Sequence, residues 1–215
     1  MHEVFLDSST LWAFVGPPRL EPDYTACNTI FERNDIKRFT SETVSNEVKQ
    51  SESRRARLYS DLVAHLKLKK KPEEFDASHF SRHVADRARQ LLRGIRGSEA
   101  DIEFLRKLGE MESARIRTAR FRIDMPLVPA KKDAYFEDLL RGALDIELGD
   151  AKVVTDYVFW APTHSDAKFL TSDGKLLIKL RAGLAQFLAA RYMAVPIIDD
   201  FLEPGKYMAG IPSSS

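Results

Sequence analysis

The chain has 215 residues, with 33 Lys and Arg against 32 Asp and Glu and a formal net charge of +1 at pH 7. It is therefore not a polycation, and any affinity for nucleic acid must come from local clustering of cations. Hydrophobic residues are 44% and charged residues 30%, an ordinary globular balance that allows one α/β domain with an insertion or two small domains. The single cysteine, Cys27, excludes an internal disulfide and any multi-Cys zinc site.

No apolar run approaches the ~18 residues of a membrane span, so no membrane association is expected. Met1-His2-Glu3 lacks the basic start and apolar stretch of a signal peptide, and the expected location is cytoplasmic. Residues 3–6 read as a short buried strand, followed by a helix through Leu11-Trp12-Ala13-Phe14-Val15 that Gly16-Pro17-Pro18 ends. A second helix is expected over 22–34, with Ala26, Ile30 and Phe31 on one face, then a strand over 36–40. Val44, Val48, Leu58, Leu62 and Leu66 fall on a helical period, which predicts one long helix over 41–67. From 67 to about 130 the chain is charged, amphipathic and rich in arginine, and reads as a helical insertion or subdomain; within it Ser98-Glu99-Ala100-Asp101 has the form of a capping box. Residues 131–148 read as a helix that Gly149 breaks, and another helix ends before Pro162. A strand over 167–171, a helix over 174–190 and a final strand near Tyr192-Met193-Ala194-Val195-Pro196-Ile197-Ile198 complete the core, with 201–215 as a tail. Strand–helix alternation at both ends predicts an α/β fold with a central, mostly parallel sheet flanked by helices. The expected division is 1–66 with 131–200 as the α/β core and 67–130 as the insertion.

Four acids sit at the ends of apolar segments: Asp7, Glu47, Asp156 and Asp173. An acid directly after a buried strand lies at the carboxyl edge of the sheet, where sites form in open α/β folds. Carboxylates gathered there repel one another unless a hard cation holds them. The pattern therefore points to Mg²⁺ or Mn²⁺ and to phosphate chemistry.

Three local patterns resemble the PIN-domain nuclease family: the apolar strand ending in Asp7 before Ser8-Ser9-Thr10-Leu11; Thr40-Ser41, Val44 and Glu47-Val48; and Phe169-Leu170-Thr171-Ser172-Asp173. The resemblance covers residues 1–66 and about 131–200. It implies a Rossmann-like three-layer fold and metal-dependent hydrolysis of phosphodiester bonds, usually in RNA. For the third acid two candidates stand: Asp156, 17 residues before Asp173, and Asp150 in Gly149-Asp150-Ala151, 23 before it. Six residues of helix turn through about 600°, so only one of them faces the site; Asp156 is the choice here and Asp150 the alternative. Lys175 and Arg181 are candidates for phosphate contact, as are Arg115, Arg117, Arg120 and Arg122 in the insertion. The family resemblance also admits an antitoxin-like regulator protein and a homodimer as partners.

Each acid has a blander reading alone: Asp7 and Asp150 as helix caps, Glu47 as an exposed helix acid, and Asp173 before Gly174 as a turn. Arg and Lys runs are commonly solvated faces. His79 and His83 stand i, i+4 but lack a third ligand. Two other functions compete. Asp7-Ser8-Ser9-Thr10-Leu11 is similar to the nucleophile loop of haloacid-dehalogenase-like phosphatases, but Ser9 stands where that family has its second, acid/base Asp. The second rival is a non-catalytic PIN-like scaffold that binds RNA or protein.

Overall fold

A computed structural model of the chain describes residues 2–18, 20–80, 82–123, 127–164, 167–191, 193 and 201–211. In chain order the elements are β1 (His2–Leu6), α1 (Ser8–Val15), α2 (Tyr24–Glu32), β2 (Ile36–Phe39), α3 (Glu42–Lys67), α4 (Arg82–Leu92), α5 (Glu99–Arg122), α6 (Ala134–Leu144), α7 (Leu148–Trp160), β3 (Lys168–Leu170), α8 (Gly174–Ala189), β4 (Phe201–Leu202) and α9 (Pro204–Gly210). The described strands form one all-parallel sheet in the order β2-β1-β3-β4, flanked by helices as an α/β fold. No described helix is long and apolar enough to cross a membrane.

The chain forms two compact units, residues 1–48 with 118–215 and residues 49–117. The division falls within α3 and α5 rather than at the expected 66/67 and 130/131. The apolar stripe of α5 runs through Ile116 and Ala119 without a break, whereas in α3 it lapses between Val48 and Leu58, and the division follows Val48. Residues 201–211 are not a tail: they supply β4 and α9, and Phe201, Pro204 and Tyr207 are buried. Of the strand expected near 192–198, only Met193 is among the described residues; Asp199, Asp200 and 212–215 also lie outside them.

In the sheet unit one row of phenylalanines crosses all four strands. Phe39 pairs with Phe5, Phe5 with Phe169, and Phe169 with Phe201. Aromatic and β-branched residues favour such half-buried pleated positions, and cross-strand ring pairs add to their burial. Tyr157 of α7 meets the rings of Phe5, Phe169 and Phe201 at 5.6, 5.1 and 5.5 Å, while Trp160 meets Phe5 and Phe39 at 5.4 and 5.0 Å. These contacts fix the rotation of α7 on the sheet. Phe136 of α6 joins this layer through Phe159 and Phe187. Phe14 and Phe31 stack at 4.2 Å between α1 and α2.

The two helices expected over 131–148 and before Pro162 are α6 and α7, but the break between them comes earlier than Gly149. Asp145 adopts a left-handed conformation (φ 52°) that ends α6, and α7 begins at Leu148, so Gly149 lies inside the new helix instead of breaking the old one. Asp tolerates that conformation because its short side chain bonds locally. Likewise the expected helical stretch after Pro72 is a short 3₁₀ turn, Pro72–Glu74, followed by α4 only from Arg82.

The helical unit is held by a buried polar cluster that periodicity does not reveal. Glu112 is 2% exposed. It accepts a hydrogen bond from the Tyr59 hydroxyl at 2.8 Å, pairs with Arg87, and lies 3.5 Å from Arg55. Burial pushes the Tyr59 phenol well above its ordinary range. Removing one partner of such a set leaves buried charge uncompensated, so Glu112→Ala is expected to cost about 3 kcal/mol. Urea unfolding measures it; a loss below about 1 kcal/mol would mean that water reaches both guanidinium groups.

Candidate active site

Parallel pairing brings the ends of β1 and β3 to one edge. Leu6 is in register with Leu170, so Asp7 and Thr171 emerge side by side. Asp7 is 5% exposed and caps α1. Its Oδ1 accepts from the Ser8 amide at 2.7 Å; its Oδ2 accepts from the hydroxyls of Ser9 at 2.7 Å and Thr171 at 2.9 Å. The Ser172 amide donates to the Ser9 hydroxyl at 2.9 Å, and the Asp173 amide to that of Thr171 at 3.0 Å. The bland reading of Asp7 as a cap is thus true of its Oδ1, while Oδ2 belongs to a hydroxyl cluster spanning two strand ends.

Asp173 is exposed and caps α8, its Oδ1 accepting from the amides of Lys175 and Leu176. Glu47 arrives from the second turn of α3, behind β2. Thr40, at the end of β2, donates to the Leu6 carbonyl at 2.9 Å and ties that connection to β1. Burial raises the Glu47 carboxyl above the ordinary range, with Asp7 and Asp156 adding to the rise; a hydrogen bond from Ser8 and the charge of Lys152 oppose it. A Cβ at Gly149 would stand 3.1 Å from Glu47 Oε1, so this glycine is what lets Glu47 lie against the first turn of α7.

Asp150 sits in that first turn. It lies seven residues before Tyr157, which on an α-helix returns to the same face, so the aromatic row that fixes Tyr157 also aims Asp150. Burial pushes its carboxyl up to about 7, and the charges of Asp7, Asp173, Glu147 and Glu47 push the same way. Acids at the ends of β1 and β3, in α3 and at the start of α7 therefore all act on the Asp150 carboxyl.

Asp156 has other surroundings. It is 1% exposed; its Oδ1 accepts from the Lys131 amide at 2.6 Å, and its Oδ2 is buried with no hydrogen-bond partner among the described residues. It anchors the segment before α6 to α7, and the Lys131 ammonium lies 4.5 Å from the Phe159 ring. Both candidates for the third acid lie near Glu47: Asp156 adds to the rise of its carboxyl, while Asp150 is itself raised by Glu47 together with Asp7 and Asp173. Glu147 and Lys152 were not singled out from the sequence. Their i−3 and i+2 offsets from Asp150 become informative only once Asp150 is placed.

Among the described residues no three His, Cys, Asp or Glu side chains stand close enough to form a ready-made metal cage. The donor set still suits one class of ion. Mg²⁺ keeps several waters and takes only one or two carboxylates directly, so carboxylates spread around an ion and its waters match its habit better than that of Zn²⁺.

Beside Asp173 runs an open groove of about 760 Å³, bordered by Ser9, Lys175, Ile178, Arg181, Glu203 and Lys206. Arg181 donates through Nε and Nη2 to the Phe201 carbonyl at 3.0 and 2.6 Å. Those bonds go to a neutral acceptor and leave the guanidinium charge on the groove. Lys206, from α9, pairs with Glu203 at 3.1 Å and escaped the sequence reading because 201–215 looked like a tail. The arginines of α5 do not act as one stripe. Arg122 donates to the Phe31 carbonyl at 2.7 Å and its own carbonyl accepts from Arg38, which makes it a tie to α2 and β2. Arg117 is exposed beside Tyr59 and Gly109, and Arg115 and Arg120 are half-buried.

Comparison of the chain with protein-family models, with curated proteins and with solved structures finds no match in any of the three.

Proposed function

We propose that the sheet unit is a metal-dependent endoribonuclease of the PIN-domain type, in which Asp7, Glu47, Asp150 and Asp173 hold Mg²⁺ or Mn²⁺. The observation that carries this reading is geometric: the parallel register sets Asp7 and Asp173 at neighbouring strand ends, and Glu47 lies against the first turn of α7, where burial and the surrounding acids push the Asp150 carboxyl up. A fold gathers like charges at a net cost, and a divalent cation is the simplest group that offsets it. When bound, the ion supplies charge that offsets that developing on the phosphate and lowers the pKa of a coordinated water.

The chain's own residues have separate tasks. Ser9 and Thr171 hold Asp7 in one orientation through its Oδ2, which keeps the carboxylate preorganised. Ser8 and Lys152 favour the charged form of Glu47. Lys175, Arg181 and Lys206 border the groove beside Asp173 and suit the phosphates flanking the one that is cut. A cytoplasmic location suits the one cysteine, a buried thiol.

The test is cleavage of single-stranded RNA. Purified protein is expected to cut with Mn²⁺ or Mg²⁺ and to stop when EDTA is added. Cutting that persists in EDTA would sink the proposal. The phosphatase alternative is weakened by Ser9, which donates to Asp7 where that chemistry needs an acid to protonate the leaving group. The protein is accordingly expected to leave p-nitrophenyl phosphate intact over hours. Robust release of nitrophenolate, lost in Asp7→Asn, would reverse the choice.

A further inference from the structure

Charge divides sharply between the two units. Residues 49–117 hold 17 Lys and Arg against 11 Asp and Glu, a formal +6, whereas the sheet unit holds 16 against 21, a formal −5. The net +1 of the chain hides this separation.

Within the helical unit many cations are already matched. Arg55 and Arg87 hold the buried Glu112; Arg57 faces Asp61, Arg89 faces Asp86, and Arg106 and Lys107 share Glu103. One end differs. Where α3 stops, Lys67, Lys69, Lys70 and Lys71 are all exposed, and Leu68 among them is 68% exposed. The backbone there is set rather than loose. Lys69 takes a left-handed turn (φ 58°), its amide donates to the Leu66 carbonyl at 2.9 Å, and the His65 ring lies 2.7 Å from the Lys71 carbonyl. The connection between α4 and α5 reaches the same end. A Cβ at Gly97 (φ 81°) would stand 3.8 Å from the Leu66 side chain, so this connection, which carries the exposed Arg93 and Arg96, packs against the last turn of α3. The acids of this end are Glu73, Glu74, Glu99 and Asp101. Glu74 accepts from the Lys71 amide, and Asp101 from the amides of Arg96 and Ser98, so two of the four carboxylates are turned to backbone.

We propose that this end of the helical unit is a docking surface for the phosphate backbone of RNA. The proposal rests on the nuclease reading only in choosing RNA among polyanions. Lysine is a compact charge on a flexible stem that contacts phosphates without reading bases, so the surface grips sequence-independently. A lone exposed leucine supplies little of the buried apolar area that stable membrane anchoring needs beside a basic patch.

The experiment measures binding of a fluorescent 20-nucleotide single-stranded RNA to the full chain in EDTA, across 50–200 mM NaCl. EDTA separates this question from cleavage: a protein that binds but never cuts with metal refutes the nuclease reading and leaves the docking surface standing. Each phosphate neutralised contributes about 0.7 to the slope of log K against log salt on a single strand. The variant Lys69→Gln/Lys70→Gln/Lys71→Gln is expected to lower the slope by about 2 and to weaken binding about tenfold at 100 mM. A control, Lys37→Gln/Lys107→Gln/Lys132→Gln, loses the same charge elsewhere and is expected to keep the wild-type slope. Equal behaviour of the two variants, or wild-type slope and affinity in Lys69→Gln/Lys70→Gln/Lys71→Gln, overturns the assignment. So does lysine-dependent binding to phosphatidylserine vesicles with RNA affinity unchanged, which would give the surface to a membrane.

Discussion

Asp7→Asn is expected to reduce Mn²⁺-dependent RNA cleavage on the order of a thousandfold while leaving the fold nearly intact. The amide oxygen of Asn can still accept from the Ser8 amide, so the cap on α1 survives. At the other position an NH₂ replaces Oδ2, and the hydroxyls of Ser9 and Thr171 must turn to accept from it. That rearrangement costs about 1 kcal/mol at most. The negative charge is lost outright, and with it one of the carboxylates proposed for the ion. Cleavage assays on wild-type and variant protein purified in parallel, with melting temperatures for both, check the result. Equal cutting by the two would identify the activity as a contaminant.

Asp150→Asn should have two opposite effects. Cleavage and Mn²⁺ binding are expected to fall about a hundredfold, while the metal-free fold becomes more stable. The second effect has a defined pH range. The Asp150 carboxyl sits at about 7 in the fold against 3.8 as its ordinary value. A raised acid favours the folded state while it holds its proton, and the penalty develops as pH rises from about 4 to 7. Above pH 7 the full penalty is present, and Asn removes it. Solvent screens a half-buried group, so the expected gain at pH 8 is about 1–2 kcal/mol, fading toward zero near pH 4. Manganese should raise the melting temperature of wild type more than that of Asp150→Asn, because an ion that binds only the folded state stabilises by mass action. Asp156→Asn should keep cleavage within about tenfold, since the Lys131 amide still finds an oxygen there. The reverse pattern, with Asp156→Asn inactive and Asp150→Asn active, would return the third position to Asp156.

Local chemistry carried several expectations to the right residues. Apolar segments of four or five residues ending in an acid or a Thr-Ser-Asp predict strand ends wherever they occur, and β1 and β3 end at Leu6 and Leu170. The helix expected over 41–67 runs Glu42–Lys67, its apolar residues Val44, Val48, Leu58, Leu62 and Leu66 all falling on a helical period. The Ser98–Asp101 box forms as its spacing dictates: the Ser98 amide donates to Asp101, and the Asp101 amide donates back to the Ser98 hydroxyl. In each case the interaction lies within four residues along the chain, where sequence is most informative.

Local signals along the chain thus establish the set of parts: strands that end in acids, helices with their apolar faces, an α/β core and a charged helical block. How the parts meet follows from contacts between elements. The left-handed Asp145 moved the break between α6 and α7, and no local signal separates it from a helix-breaking Gly149. That Asp150 lies in the field of Asp7 and Asp173, the ground for proposing it as the third acid, depends on the rotation of α7. That rotation is set by a phenylalanine row assembled from β2, β1, β3 and β4, residues as far apart as 39 and 201. Burial of Glu112 among Tyr59, Arg55 and Arg87 likewise needed contacts across α3, α4 and α5. Periodicity reports which face of one element is apolar; only packing between elements fixes which polar side chains converge.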